Sequence, residues 1–178
     1  MLALLALPSP LHPAAVHFPI VLLLLGTVVA ITAAFTRRWQ LPLVAAVLLG
    51  LGAIGTVVAV QTGESQGEVV GETPAIEAVL DQHEAWAERT QVAAIVVALL
   101  AAAALATTRW PVAARGLGLA TGAGALLVAW CVIQTGHYGG QLVYRHGAGV
   151  NLMAADGTAP APAGQTGKKS RHGERDDD

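Results

Sequence analysis

The chain has 178 residues, 54% of them hydrophobic and only 12% charged, and a mean hydropathy of +0.56. Soluble domains carry about 25% charged residues, so composition argues against a soluble globule or a soluble enzyme. Ten basic against twelve acidic residues provide no basic field for nucleic acid. A single cysteine, Cys131, excludes an internal disulfide, a CxxC redox pair and a cysteine-held iron–sulfur cluster.

Residues Met1 to Leu7 are apolar but short and lack a basic flank, so they read as a translocated amino terminus rather than a cleaved signal. Four uncharged runs then follow, each long enough to cross a bilayer as a helix of about 20 residues. They span 14–36, 41–63, 90–108 and 116–137. Short connections rich in arginine (Arg37, Arg38, Arg109, Arg115) join the first pair and the last pair. The connection between spans two and three carries Glu64, Glu68, Glu72, Glu77, Asp81, Glu84 and Glu88 against Arg89 alone. The positive-inside rule puts the arginine connections in the cytoplasm and both termini outside, with Trp39 and Trp110 as inner-face anchors.

The expected fold is an all-α integral membrane four-helix bundle of up-down topology, covering 1–153. A proline-, glycine- and charge-rich tail over 154–178 reads as disordered. Small residues at helical spacing predict close helix packing in lipid: Gly26, Ala30 and Ala33; Gly52, Thr56, Ala59 and Gly63; Gly118, Gly122, Ala125, Ala129, Gly136 and Gly140. Gly50-Leu51-Gly52-Ala53-Ile54-Gly55 spells GxGxxG, but inside an apolar span with no preceding strand it carries no dinucleotide signal. Thr73-Pro74 is a cap and first-turn pair for a short amphipathic outer extension running into span three. On it Glu77, Asp81, Glu84 and Glu88 share a solvated face, while Ile76, Val79, Leu80, His83 and Ala87 face inward. That acidic face is most simply solvated, and also suits a basic soluble cytochrome.

Apart from His172 in the tail, every histidine lies at or beyond an outer span end: His12, His17, His83, His137 and His146. Measured from the inner arginines at about 1.5 Å per residue, His17 stands at roughly 30 Å and His137 at roughly 33 Å, with His12 and His83 up to about 39 Å. Several imidazoles at one end of a bundle suit Fe, Cu or Zn. The level pair His17 and His137 is the expected axial pair for a b-type haem, with His12, His83 or His146 as substitutes or supports, and Phe18, Trp130 and Tyr138 beside the macrocycle. His-only copper or zinc is the second reading. In the third, a cofactor-free structural subunit, the histidines are interfacial or hydrogen-bonding residues and the glycine faces serve helix association. No nucleophile motif accompanies His83, so the chain is not expected to be an enzyme on its own. No mid-depth carboxylate or lysine couples ions for transport.

The segments Leu11-His12-Pro13-Ala14-Ala15-Val16-His17-Phe18-Pro19-Ile20 and Gly136-His137-Tyr138-Gly139-Gly140-Gln141-Leu142-Val143-Tyr144-Arg145-His146-Gly147-Ala148-Gly149-Val150, with Thr62-Gly63 between them, resemble the bacterial membrane family called domain of unknown function 2231. The family pattern, HPxxxHFP, a Thr-Gly near the end of span two, and GGxLVYxHGxGV, covers about 11–150. The resemblance carries over His12, His17, His137 and His146 as motif residues, whereas His83 rests on the helical-face argument. It implies a multi-pass protein of the bacterial inner membrane. Its association with cytochrome c-like and Rieske-type modules implies redox partners on the outer face, although no cysteine haem-attachment motif is present. An oligomer remains open.

Overall fold

The computed structural model describes residues 11–36, 38, 40–67 and 73–147. The amino-terminal residues, the 154–178 tail and the anchor Trp39 lie outside them. The described chain is helical: α1 (His12–Ala15), α2 (His17–Phe35), α3 (Gln40–Gly67), α4 (Pro74–Ala106) and α5 (Pro111–His146). Four helical stretches, α1 and α2 together, α3, α4 and α5, are long and apolar enough to span a membrane.

The first span lacks one helical hydrogen bond. Pro19 has no N–H to offer the Ala15 carbonyl one turn back, yet Val16 between α1 and α2 keeps right-handed helical angles (φ −67°, ψ −26°), so the helical phase carries through. Pro74 and Pro111 instead sit in first turns, where the missing N–H costs nothing. The outer extension and span three form one helix. Its cap is the expected one, with the Ile76 N–H donating to the Thr73 hydroxyl at 3.4 Å. Glu77, Asp81 and Glu88 are exposed and Ile76, Val79, Leu80, His83 and Ala87 half-buried, as an amphipathic helix end requires, whereas Glu84, expected on the solvated face, is half-buried beside His83 in sequence. Span four likewise runs on through Gly139-Gly140 to His146, where Gly147 ends it with φ +66°. Only glycine adopts that left-handed cap without strain.

Neighbouring helices pack antiparallel. Leu23 of α2 lies over Gly52 of α3 and Leu49 of α3 over Gly26 of α2, while His12 lies over Gly63. On the other side, Val97 of α4 covers Gly124 of α5 and His83 covers Gly139. Helices α2 and α5 also meet, where Gly122 approaches the Ala30 and Ile31 backbone. Alanine is therefore the commonest core residue, with Leu23, Leu49 and Val128 as the fully buried large side chains. Larger residues such as Val28, Ile54, Leu99 and Leu126 point outward, the reverse of a water-soluble bundle. Buried Cys131 is one of the small core residues.

Gly26, Ala30, Gly52, Thr56, Gly122 and Ala125 lie on buried faces as expected, whereas Gly136 is exposed with open space beside it. The buried stripe of α5 passes through Val128, Cys131 and Val132 to Leu142 instead.

One hydroxyl links the closing pair of helices. The Thr27 hydroxyl donates to a shared pair of acceptors, its own Leu23 carbonyl at 2.7 Å and the Ala125 carbonyl of α5 at 3.1 Å. Interhelical hydrogen bonds in lipid average about 0.6 kcal/mol and reach about 1.7. Thr27→Val is expected to lower unfolding stability in detergent by that average. An unchanged denaturation midpoint would mean that the contact with Ala125 contributes nothing.

Candidate functional site

The site is built where core faces continue beyond the apolar spans. Pro19, Leu23, Gly26 and Ala30 form the buried stripe of α2, and His12 stands seven residues before Pro19, almost in phase at 100° per residue. Thr90, Ala94, Val97 and Ala101 form the stripe of α4, and His83 stands seven before Thr90. Both imidazoles therefore point into the bundle and meet there. Their ring centroids are 6.3 Å apart with planes at 89°.

Each ring lodges over a glycine. A Cβ on Gly63 would come within 3.0 Å of His12 Cε1, and one on Gly139 within 3.0 Å of His83 Cε1. The absent side chain of Gly139 also leaves the Thr135 carbonyl open, and His83 Nδ1–H donates to it at 3.0 Å. The Thr62 hydroxyl gives its one proton to the Val58 or Ala59 carbonyl, at 2.9 and 3.0 Å. The same hydroxyl lies 3.2 Å from His12 Nδ1. His83 thus carries hydrogen on Nδ1 and the lone pair on Nε2, the arrangement by which outer-shell oxygens orient a ligating histidine, while His12 is held by the Thr62 hydroxyl and by a hydrogen bond to the Ala59 backbone. Below them the hydroxyls of Thr90 and Thr135 lie 3.0 Å apart, linking α4 to α5.

The other three histidines take separate places. His17 is exposed, and its Nδ1–H donates back to the Pro13 carbonyl. His137 is exposed on α5, edge-on to Tyr138. Its Nε2 accepts from the Gln141 amide at 2.8 Å, and Gln141 Oε1 in turn accepts from Arg145 at 3.2 Å. His146, the last residue of α5, is half-buried about 13.5 Å beyond His137 along the helix. Phe18 and Trp130, expected beside a macrocycle, are 56% and 54% exposed. Among the described residues no group of three or more His, Cys, Asp or Glu side chains is placed to hold a metal ion.

Thr135 is the contributor that sequence reasoning passed over. It lies one turn before Gly139 and seven residues after Val128, so the continued core stripe would have marked it. Thr62 and Gly63 stood out only through the resemblance and the small-residue face.

The sequence matches the family described as predicted membrane protein (DUF2231) over residues 8–152. The chain belongs to the DUF2231 family. No curated protein and no solved structure matches it. The DUF2231 match runs from just before His12 to just past the end of α5, and so contains all four long helices and both members of the imidazole pair. This DUF2231 protein is accordingly a membrane protein whose two inward histidines come from the first and third spans.

Proposed function

We propose that this DUF2231 protein is an electron-transfer component of the bacterial inner membrane, holding one b-type haem between His12 and His83 on the outer face. The observation that carries the reading is the ring separation of 6.3 Å. Two imidazoles ligating opposite sides of one metal, with metal–nitrogen distances of about 2.0–2.1 Å, require a centroid separation of about 6 Å. The donor chemistry fits at His83, where the Thr135 carbonyl takes the Nδ1–H and leaves Nε2 the basic nitrogen, and Thr62 holds the His12 ring beside it. A haem would need only two ligands from the protein, which His12 and His83 would provide. A bare zinc ion takes about four protein ligands. The two-ring set therefore suits haem better than the His-only copper or zinc reading.

Bound haem would supply one-electron exchange. The chain's own contribution is positional: Gly63 and Gly139 let the rings seat, and Thr62 and Thr135 fix their orientation. His17 and His137, the pair suggested by height, are assigned to the surface of this end, and His146 to a supporting position. The arginine connections set the orientation, with Arg38, Arg109 and Arg115 on the cytoplasmic side. The exposed carboxylates Glu77, Asp81 and Glu88 favour a basic redox partner, such as a soluble cytochrome or a Rieske-type module, through charge complementarity.

Oxidised and dithionite-reduced absorption spectra of the detergent-purified protein, with a pyridine test for haem b, check the proposal. The expected result is a stoichiometric haem with a Soret band that shifts on reduction. It should be lost in His12→Ala and His83→Ala and kept in His17→Ala and His137→Ala. A flat spectrum from protein made with ample haem would remove the reading. Elemental analysis finding copper or zinc without porphyrin would replace it with the metal-handling one.

A further inference from the structure

The end opposite the histidines contains a cavity of about 460 Å³ between all four long helices. That volume falls within the range of roughly 300–1,000 Å³ typical of small-molecule sites. Its buried floor is Ala30, Ala45, Ala101 and Thr121, and its exposed rim includes Thr36, Thr108 and Arg115. Six residues separate Ala30 from Thr36 and Arg115 from Thr121, which makes the cavity about 9 Å deep.

Alanine creates the space. Residues 30, 33, 34, 45, 101, 104 and 114 of the lining are all alanine, where bulkier side chains would have met at the axis. The deep walls are mostly alanine, and the Thr121 hydroxyl there donates to the Leu117 carbonyl, while Thr36, Thr108 and Arg115 supply polar surface nearer the mouth. The mouth is different. Among the described residues the charges at this end are Arg38, Arg109 and Arg115, with no carboxylate. A guanidinium beside an apolar cleft at a membrane surface pairs well with a phosphate diester, by parallel N–H donation to two oxygens.

An apolar slot closed by arginine at the level of lipid headgroups matches an amphiphile with an aliphatic tail and an anionic head. We infer that the cavity seats the headgroup-proximal part of one acyl chain of an anionic phospholipid, with its phosphate held by Arg115. The occupied cavity joins α2 to α5 at the arginine end, and the lining regains the dispersion contacts that an empty space forgoes. The inference depends on the membrane placement of the four helices and is independent of the haem reading.

Native mass spectrometry of the full-length, detergent-solubilised protein, titrated with phosphatidylglycerol, tests it. One lipid per chain is expected, bound about fivefold more weakly by Arg115→Gln, in line with one arginine contact at an anionic surface. Arg109→Gln alters an arginine outside the lining and is expected to bind normally. Ala33→Leu combined with Ala104→Leu, at half-buried lining positions, should fill the cavity and abolish the adduct. Equal binding of phosphatidylcholine, or equal weakening in Arg109→Gln, would overturn the assignment by showing diffuse interfacial association. An adduct that survives in a folded double-leucine protein would do the same for the acyl chain. If inorganic phosphate competed at the same concentration as the lipid, the site would belong to a free anion. Should the double-leucine protein fail to fold, the Arg115→Gln and phosphatidylcholine comparisons still decide the question.

Discussion

Gly52→Leu is expected to destabilise the bundle by about 1–3 kcal/mol, as overpacking of a well-filled core does. A Cβ at Gly52 falls 2.7 Å from Leu23 Cδ2 and 2.9 Å from Leu23 Cγ, with the Leu23 backbone nitrogen 3.4 Å away. Turning the Leu23 side chain aside therefore gives little relief, because the backbone of α2 is next in line. The added branches must push α2 from α3 and displace Leu23, one of three fully buried large side chains. Gly50→Leu supplies the contrast. It lies on the same helix two residues away, where an added Cβ would meet nothing within 4 Å, and should gain up to about 1 kcal/mol of helix propensity. Thermal unfolding in one detergent compares the two directly. Equal midpoints would mean that α2 and α3 are not closely packed at this level.

The second large effect falls on the imidazole pair and leaves the bundle almost intact. Gly139→Val places branched carbon against His83 Cε1, where even a bare Cβ would stand at 3.0 Å. The ring must move, and its hydrogen bond to the Thr135 carbonyl goes with it, at a net cost of about 1 kcal/mol. Nitrogen-15 spectra of labelled histidine should show His83 changing from the Nδ1–H tautomer to a mixture. Under the haem proposal, retention of the cofactor should fall about 10–100-fold, the usual consequence of losing an outer-shell partner. Gly136→Val, next to open space on the exposed side of α5, should change neither readout. If both valines acted alike, the close approach of His83 to Gly139 would not be what fixes the ring.

These contrasts show what was legible in the sequence. Hydropathy revealed four spans, Thr73-Pro74 revealed the start of α4, and the one-ended distribution of histidines pointed to the end of the molecule where two of them meet. Helical height could not choose among the histidines, because rings at one level can point in any direction around the axis. Phase does choose. His12 is seven residues from Pro19 and His83 seven from Thr90, whereas His17 lies about 200° from Pro19 and turns outward. The same reasoning separates Thr135 and Gly139, on the stripe of Val128 and Leu142, from exposed Gly136 and His137. What remained illegible was the partner of each ring. The openness of the Thr135 carbonyl depends on a neighbouring helix arriving opposite a missing side chain, and spacing within one helix does not encode that.

The unequal helix ends give the described residues a stepped rim at the histidine end. Taking the level of the two rings as a shelf, the described part of α4 continues about 14 Å beyond it, from His83 back to Pro74. Helix α5 continues about 10 Å beyond Gly139, and α3 about 6 Å beyond Gly63. Helix α1 begins at His12 itself. Among the described residues the rim is therefore a staircase, with a tall back formed by the α4–α5 hairpin and its low step at His12. Under the haem proposal, a basic partner drawn to the carboxylates of α4 would meet the tall α4–α5 side of this described rim first, so its approach would have a direction as well as a place.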